Sequence, residues 1–194
     1  MQEMVARSLA RSLEATESFA REGAETLVQL AALVIDAMRA DNKLLIFGNG
    51  GSAADAQHVA AEFVNRFLIN RRPLPALALT TDSSVLTSIG NDFSYELVFV
   101  KQVQALGRPG DVALGISTSG TSPNVVQALA VARAQGLRTA ALIGGLRQPT
   151  ADLQAAAELI LRVPSAHTPH IQEAHLWAEH LLCEMVEEAL CGTP

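Results

Sequence analysis

Aromatic side chains make up only 4% of this 194-residue chain, and tryptophan and tyrosine occur once each. So few rings deny it a base-stacking platform for single-stranded nucleic acid. The formal net charge of −6 adds to this, because phosphate-backbone contacts need clustered lysine and arginine. No nucleic-acid partner is expected. Cysteine occurs only twice, and Cys183 and Cys191 lack CxxC spacing, which reads as reduced thiols in a cytosolic protein. The most apolar stretch, residues 27–38, is broken by Gln29 and Asp36 and is far shorter than the ~20 residues of a membrane span. Met1-Gln2-Glu3-Met4 has neither a basic n-region nor an apolar h-region. A cytoplasmic location without signal peptide or membrane contact is therefore expected. No Walker lysine follows a glycine-rich turn, which argues against nucleoside triphosphate chemistry, and no GxGxxG dinucleotide fingerprint is present.

What the chain has is apolar bulk: 49% hydrophobic residues against 18% charged. A chain of this length buries roughly 70% of its unfolded surface and needs no disulfide staple. The expected organisation is one domain over residues 1–194, with a helical extension at 1–40 and an α/β core at 41–194. With so few rings, the core is built from Ala, Leu, Val and Ile, and its helices approach closely. The apolar surplus favours oligomerisation.

Apolar spacing over residues 3–40 suits one or two helices. Short apolar runs at 44–47, 77–79, 112–116, 139–143 and 159–163 read as strands. Between them, a helix is expected from Ser52, as N-cap, to about Asn70. Two shorter helices should flank a turn at Gly90-Asn91-Asp92, and another should start at Ser122-Pro123. A last helix should run from Thr168-Pro169 to about Leu190. Strands alternating with helices predict a five-stranded, doubly wound parallel sheet covered on both faces. Ligands of such sheets gather at the carboxyl ends of strands, where the turns after Phe47 and Ile116 fall.

Both turns have chemical content. Gly48-Asn49-Gly50-Gly51-Ser52 opens a helix whose free N–H groups attract anions. Behind it, His58 and Glu62 stand one helical turn apart, a pair able to hold a metal or move a proton. Asp55, His58, Glu62, Asn65 and Arg66 fall within a stripe of about 100°. That stripe is either the wet face of an amphipathic helix or the lining of a cleft or subunit interface. In the second turn, Ser117-Thr118-Ser119-Gly120-Thr121-Ser122 offers a phosphate several neutral donors. Its plain alternative is a hydroxyl-rich surface turn with good capping. On the last helix Gln172 and His180 lie within ~80° of each other, although the histidines at 167, 170, 175 and 180 also suit scattered surface positions. No spacing rule brings this helix to His58; only the fold or a neighbouring subunit could.

Together, GNGGSAADAQHVAAEF, SIGNDF, GDVALGISTSGTSPNV and IQEAHLWAEH resemble the phosphoheptose isomerases, a family of sugar-isomerase (SIS) domain enzymes, over nearly the whole chain. The resemblance implies conversion of sedoheptulose 7-phosphate to D-glycero-D-manno-heptose 7-phosphate, a phosphorylated seven-carbon sugar. It also implies a homotetramer with sites between subunits. By position it makes Glu62 the catalytic base and His180 the acid, and it makes His58, Glu62, Gln172 and His180 ligands of a zinc ion, one per subunit. Substrate contacts carry over to Asn49, Gly50, Gly51, Glu62, Asn91, Asp92, Ser117, Thr118, Ser119, Ser122 and Gln172. The chain departs from the pattern at His167-Thr168-Pro169-His170, where some relatives carry an aspartate. It departs again at Gly144-Gly145-Leu146-Arg147-Gln148, which lacks the usual later glycine pair. Two rivals follow from the same family: a non-catalytic SIS tetramer that binds the replication initiator, and a sugar-phosphate-sensing regulator. The initiator-binding branch lacks the carboxylate and imidazole found here at positions 62 and 180. The regulator would need a DNA-binding domain, for which the 40 N-terminal residues are too few and too weakly basic.

Overall fold

The apolar runs become the five strands of one parallel sheet in a computed structural model that describes residues 1–192. In chain order the elements are α1 (Gln2–Arg39), β1 (Leu44–Gly48), α2 (Gly51–Val64), β2 (Ala76–Ala78), α3 (Ser83–Asp92), a 3-10 turn (Tyr95–Leu97), α4 (Val100–Leu106), β3 (Val112–Ser117), α5 (Pro123–Ala134), β4 (Arg138–Gly144), α6 (Ala151–Ala156), β5 (Leu159–Val163) and α7 (Thr168–Cys191). The strand order is β2-β1-β3-β4-β5, so the chain leaves β1 toward one edge and returns to build the other. The reversal opens a crevice at the carboxyl ends of β1 and β3, which pair from Leu44↔Val112 to Gly48↔Ile116.

Each central strand is buried on both sides, so alternate residues feed two cores. Leu44, Ile46, Val112, Leu114 and Ile116 face α1, α2 and α7. Leu45, Phe47, Ala113, Ala141 and Ile143 face α3, α4, α5 and α6. Four phenylalanines (Phe19, Phe47, Phe63 and Phe99) fill the largest fully buried positions, and small residues do the rest. At Gly115 a Cβ would stand 2.8 Å from Val125 Cγ1, so the missing side chain is what lets α5 lie on β3.

The N-terminal segment is one helix rather than two. Its second half is anchored by Leu27, Leu30, Val34 and Met38, while Met4, Val5, Leu9 and Leu13 stay exposed. Phe19 meets Trp177 of α7 edge-on at 6.2 Å, and Ser12 hydrogen-bonds Glu173.

Three expected boundaries are corrected. Helix α2 starts at Gly51 after an N-cap at Gly50, not at Ser52; Gly50 takes φ 57°, which a side chain would oppose, and Ser52 is buried inside the first turn. It ends at Val64, not near Asn70. There Arg71 donates to the carbonyls of Glu62 and Phe63, both at 2.8 Å, and so replaces the helical bonds that would continue it. The Gly90-Asn91-Asp92 segment is the last turn of α3; the break falls after it, at Phe93-Ser94.

Beyond α2 the chain is held by one carboxylate. Glu187 of α7 accepts from the backbone N–H groups of Phe67 (3.0 Å), Leu68 (2.7 Å) and Ile69 (3.0 Å) and from Arg71 Nε (2.8 Å). Both side chains of the ion pair are buried. These bonds hold the Glu187 carboxyl below its ordinary value against the opposing effect of burial. Its contribution is thus present above the unfolded value of about 4.5 and is lost as pH falls through the folded value. Glu187→Ala leaves Arg71 and three N–H groups without their acceptor, and about 3–5 kcal/mol of stability should be lost, read as a lower urea midpoint at neutral pH. An unchanged midpoint would show that the clamp carries no net stability.

Candidate active site

The two glycine- and hydroxyl-rich turns flank the crevice and are tied together. Asn49, after β1, and Asn124, in the first turn of α5, exchange amide hydrogen bonds of 3.0 and 2.8 Å. Tyr95 donates its hydroxyl to Asn49 at 3.3 Å. A Cβ at Gly90 would reach the Tyr95 ring at 4.0 Å, so the end of α3 lies near Tyr95; the next two residues are joined by a bond from Asn91 Nδ2 to Asp92 Oδ1 at 2.9 Å. Gly48 has no room for a side chain, because its Cβ would meet Ile116 O and Ser52 Cβ at 2.8 Å each.

In the second turn Ser117 is buried, Thr118 and Ser122 are half-buried and Ser119 is exposed. Ser117 Oγ lies 2.9 Å from Ser122 Oγ and 3.4 Å from Ser119 Oγ, and it accepts from Gly120 N–H at 3.2 Å. Ser122 occupies the N-cap of α5 with Pro123 after it, as expected, but its hydroxyl turns to Ser117 instead of capping. The result is a cluster of neutral hydroxyls at the start of a twelve-residue helix, a setting suited to an anion.

The other half of the site lies between α2 and α7. Gly51 packs on Gln172 and His58 on His180, and beyond the end of α2 the Phe67 N–H meets Glu187, so contacts ascend together and the two helices run side by side in the same sense. His58 Nε2 stands 2.8 Å from His180 Nε2 and 3.6 Å from Glu62 Oε1. The fold therefore brings both predicted catalytic residues against one imidazole within a single protomer. Phe67 stacks on the outer face of His180, with centroids 5.7 Å apart and planes at 23°.

Gln172 does not join them. Its amide rests against Gly51, where an added Cβ would overlap it, and eight residues of α7, about 12 Å of rise, separate it from His180. Among the described residues no group of three or more His, Cys, Asp or Glu side chains is placed to hold a metal ion. Even so, His180 Nε2 and the Glu62 carboxylate each lie beside His58 Nε2, and imidazole nitrogen with carboxylate oxygen is donor chemistry that suits zinc.

Sequence reasoning missed several residues beneath this surface. Glu179 on α7 is fully buried and its oxygens have no hydrogen-bond partner. Burial, and secondarily the nearby Asp55, push its carboxyl up to about 8, so at neutral pH it holds a proton. Asp55 is also raised by burial, with His58 pulling the other way. His175, one turn before Glu179, donates Nε2–H to Ile143 O at 3.0 Å, and burial pushes it down to about 4, leaving it neutral. A motif reader sees Glu179 only as a polar residue beside His180; its burial depends on α7 facing α2.

A family model described as SIS domain matches residues 8–144, which takes in β1 to β4 and both of the turns described above. The chain is 51% identical to a phosphoheptose isomerase of Pelobacter propionicus over 174 residues, covering 90% of each chain. It is 48% identical to one from Aquifex aeolicus, covering 98% of each. The structure of a phosphoheptose isomerase from Neisseria gonorrhoeae superposes with a TM-score of 0.88 at 42% identity, covering 96% of this chain and 98% of the other. The chain belongs to the phosphoheptose isomerase family.

Glu179 supplies a stability test. Its folded value of about 8 exceeds the ordinary 4.5, so the folded state binds the proton more tightly and loses stability as pH rises between the two. The unfolding free energy of the wild type from urea titration should fall from about pH 5 to about pH 9 relative to Glu179→Gln, which keeps the neutral shape, by up to a few kcal/mol. Parallel curves for the two proteins would contradict a buried, protonated Glu179.

Proposed function

We propose that the chain is a ketose–aldose isomerase that converts sedoheptulose 7-phosphate to D-glycero-D-manno-heptose 7-phosphate. The observation that carries this reading is the meeting of Glu62 and His180 around His58, beside a crevice with a hydroxyl-lined anion turn. The reaction moves a proton between adjacent carbons. Glu62 takes it from C1, the C–H electrons form the C1–C2 double bond, and His180 protonates the former carbonyl oxygen at C2, giving a cis-enediol. Return of the carbon proton to C2 and loss of the proton from the C1 oxygen complete the aldose.

The phosphate end is held by Ser117, Thr118, Ser119 and Ser122 and by the N–H groups opening α5, and this remote binding fixes the reactive end of the sugar. Asn49, Gly50, Gly51, Asn91 and Asp92 would contact the rest of the sugar. His58, Glu62 and His180 would hold a zinc ion, and the family resemblance adds Gln172 as a fourth donor. Bound there, the ion would polarise the carbonyl and stabilise the enediolate's charge.

The exposed apolar line of Met4, Val5, Leu9 and Leu13 on α1 supports self-association, and the family resemblance makes the assembly a homotetramer with sites between subunits. No described helix is long and apolar enough to cross a membrane, in keeping with a cytoplasmic enzyme. The initiator-binding alternative has less support, since the curated relatives are named as isomerases and the carboxylate and imidazole are both present.

Glu62→Gln should lower kcat on sedoheptulose 7-phosphate by at least about 10²-fold with an unchanged unfolding midpoint. Near-normal turnover would remove Glu62 from the mechanism. Chelation should abolish activity, zinc should restore it, and elemental analysis should find one zinc per subunit; full activity in metal-free protein would exclude the ion.

A further inference from the structure

Metal-binding and catalytic histidines are usually oriented by a hydrogen bond from their second ring nitrogen to a carboxylate or carbonyl. His180 departs from that pattern. Among the described residues its one hydrogen bond is the Nε2 contact with His58, so no acceptor orients the ring through Nδ1. Two rings pack against it: His58, with centroids 5.0 Å apart and planes at 70°, and Phe67, the stacked one, at a distance and tilt within the range of favourable offset stacking.

Phe67 lies outside α2, on an irregular segment that would ordinarily be mobile. Here that segment is tied down. Its N–H and the two that follow are all held by the Glu187 carboxylate. Arg71, paired with Glu187, also holds the carbonyl of Glu62 itself. One buried ion pair thus links the backbone of the base, the ring against the acid, and the helix that carries the acid two turns before Glu187.

We propose that Phe67 is a positioning residue for His180, its ring fixed by the Glu187–Arg71 clamp so that the imidazole keeps the rotamer needed for proton transfer at the sugar oxygen. The inference rests on the reading of His180 as the acid. Phe67 touches no reacting atom; it removes ring freedom that would otherwise be lost on reaching the transition state. A phenyl face is required, and an aliphatic side chain of similar volume cannot supply it.

The test uses the full chain with Phe67→Leu and Phe67→Tyr. Phe67→Leu should lower kcat about tenfold or more with KM within about twofold, and Phe67→Tyr should restore kcat. In protein carrying isotope-labelled histidine, the His180 C–H resonances should move downfield in Phe67→Leu as the ring current is lost, and should stay near their wild-type place in Phe67→Tyr. Wild-type kcat in Phe67→Leu, or unmoved His180 resonances, would overturn the proposal. Should the wild type fail to convert sedoheptulose 7-phosphate while the resonances move as described, the isomerase reading falls and the hold of Phe67 on His180 stands.

Discussion

The side-by-side packing of α2 and α7, both pointing the same way over one face of the sheet, is the constraint on which the rest of the site depends. Neither helix alone carries a reaction centre. Together they set His58 against His180 and leave Glu62 one turn further along the same groove. The sheet makes the packing possible: Leu44, Ile46, Leu114 and Ile116 form an apolar floor, and Ala56, Val59, Ala60, Ala174 and Ala178 are small enough to let the helices settle into it. The scarcity of aromatics is thus a condition for the site, since bulky side chains along this seam would hold the two helices apart.

The groove also conceals groups that an exposed site would not tolerate. Glu179, with its carboxyl protonated, and neutral His175 lie under the catalytic surface, while the charged pair Arg71–Glu187 closes the far end. Uncharged groups near the centre and a fully bonded ion pair at the end follow one rule: buried charge persists only where partners satisfy it. The anion half of the site obeys a different one. Ser117, Ser119 and Ser122 bring hydroxyls and no cation, so a phosphate held there would be met by several neutral dipoles.

Much of this architecture was legible in the residues alone. The five apolar runs gave the strands within a residue or two, because continuous short runs of Leu, Ile, Val and Ala suit only a sheet covered on both faces. The two ligand turns were legible for a similar local reason: Gly50 and Pro123 have conformational meaning without neighbours. The end of α2 was not, since the polar stripe continues through Asn65 and Arg66 and the stop is imposed by Arg71 and by Glu187, distant in sequence. Nor was the seat of the Gln172 amide against Gly51, because a helical wheel reports angle and is silent on contacts with another helix. Phe67 and Glu179 have no signature at all. Their roles exist only once α7 faces α2.

The central claim is that this two-helix groove moves a proton, through a base and an acid, between neighbouring carbons of a sugar phosphate. Prolonged conversion of sedoheptulose 7-phosphate in D2O tests it most directly, with deuterium at C2 of the aldose followed by NMR. The account predicts solvent deuterium at that carbon, because a proton carried by Glu62 exchanges with water before it returns. Full conversion with no deuterium at C2 would mean a direct hydride shift, and would contradict it.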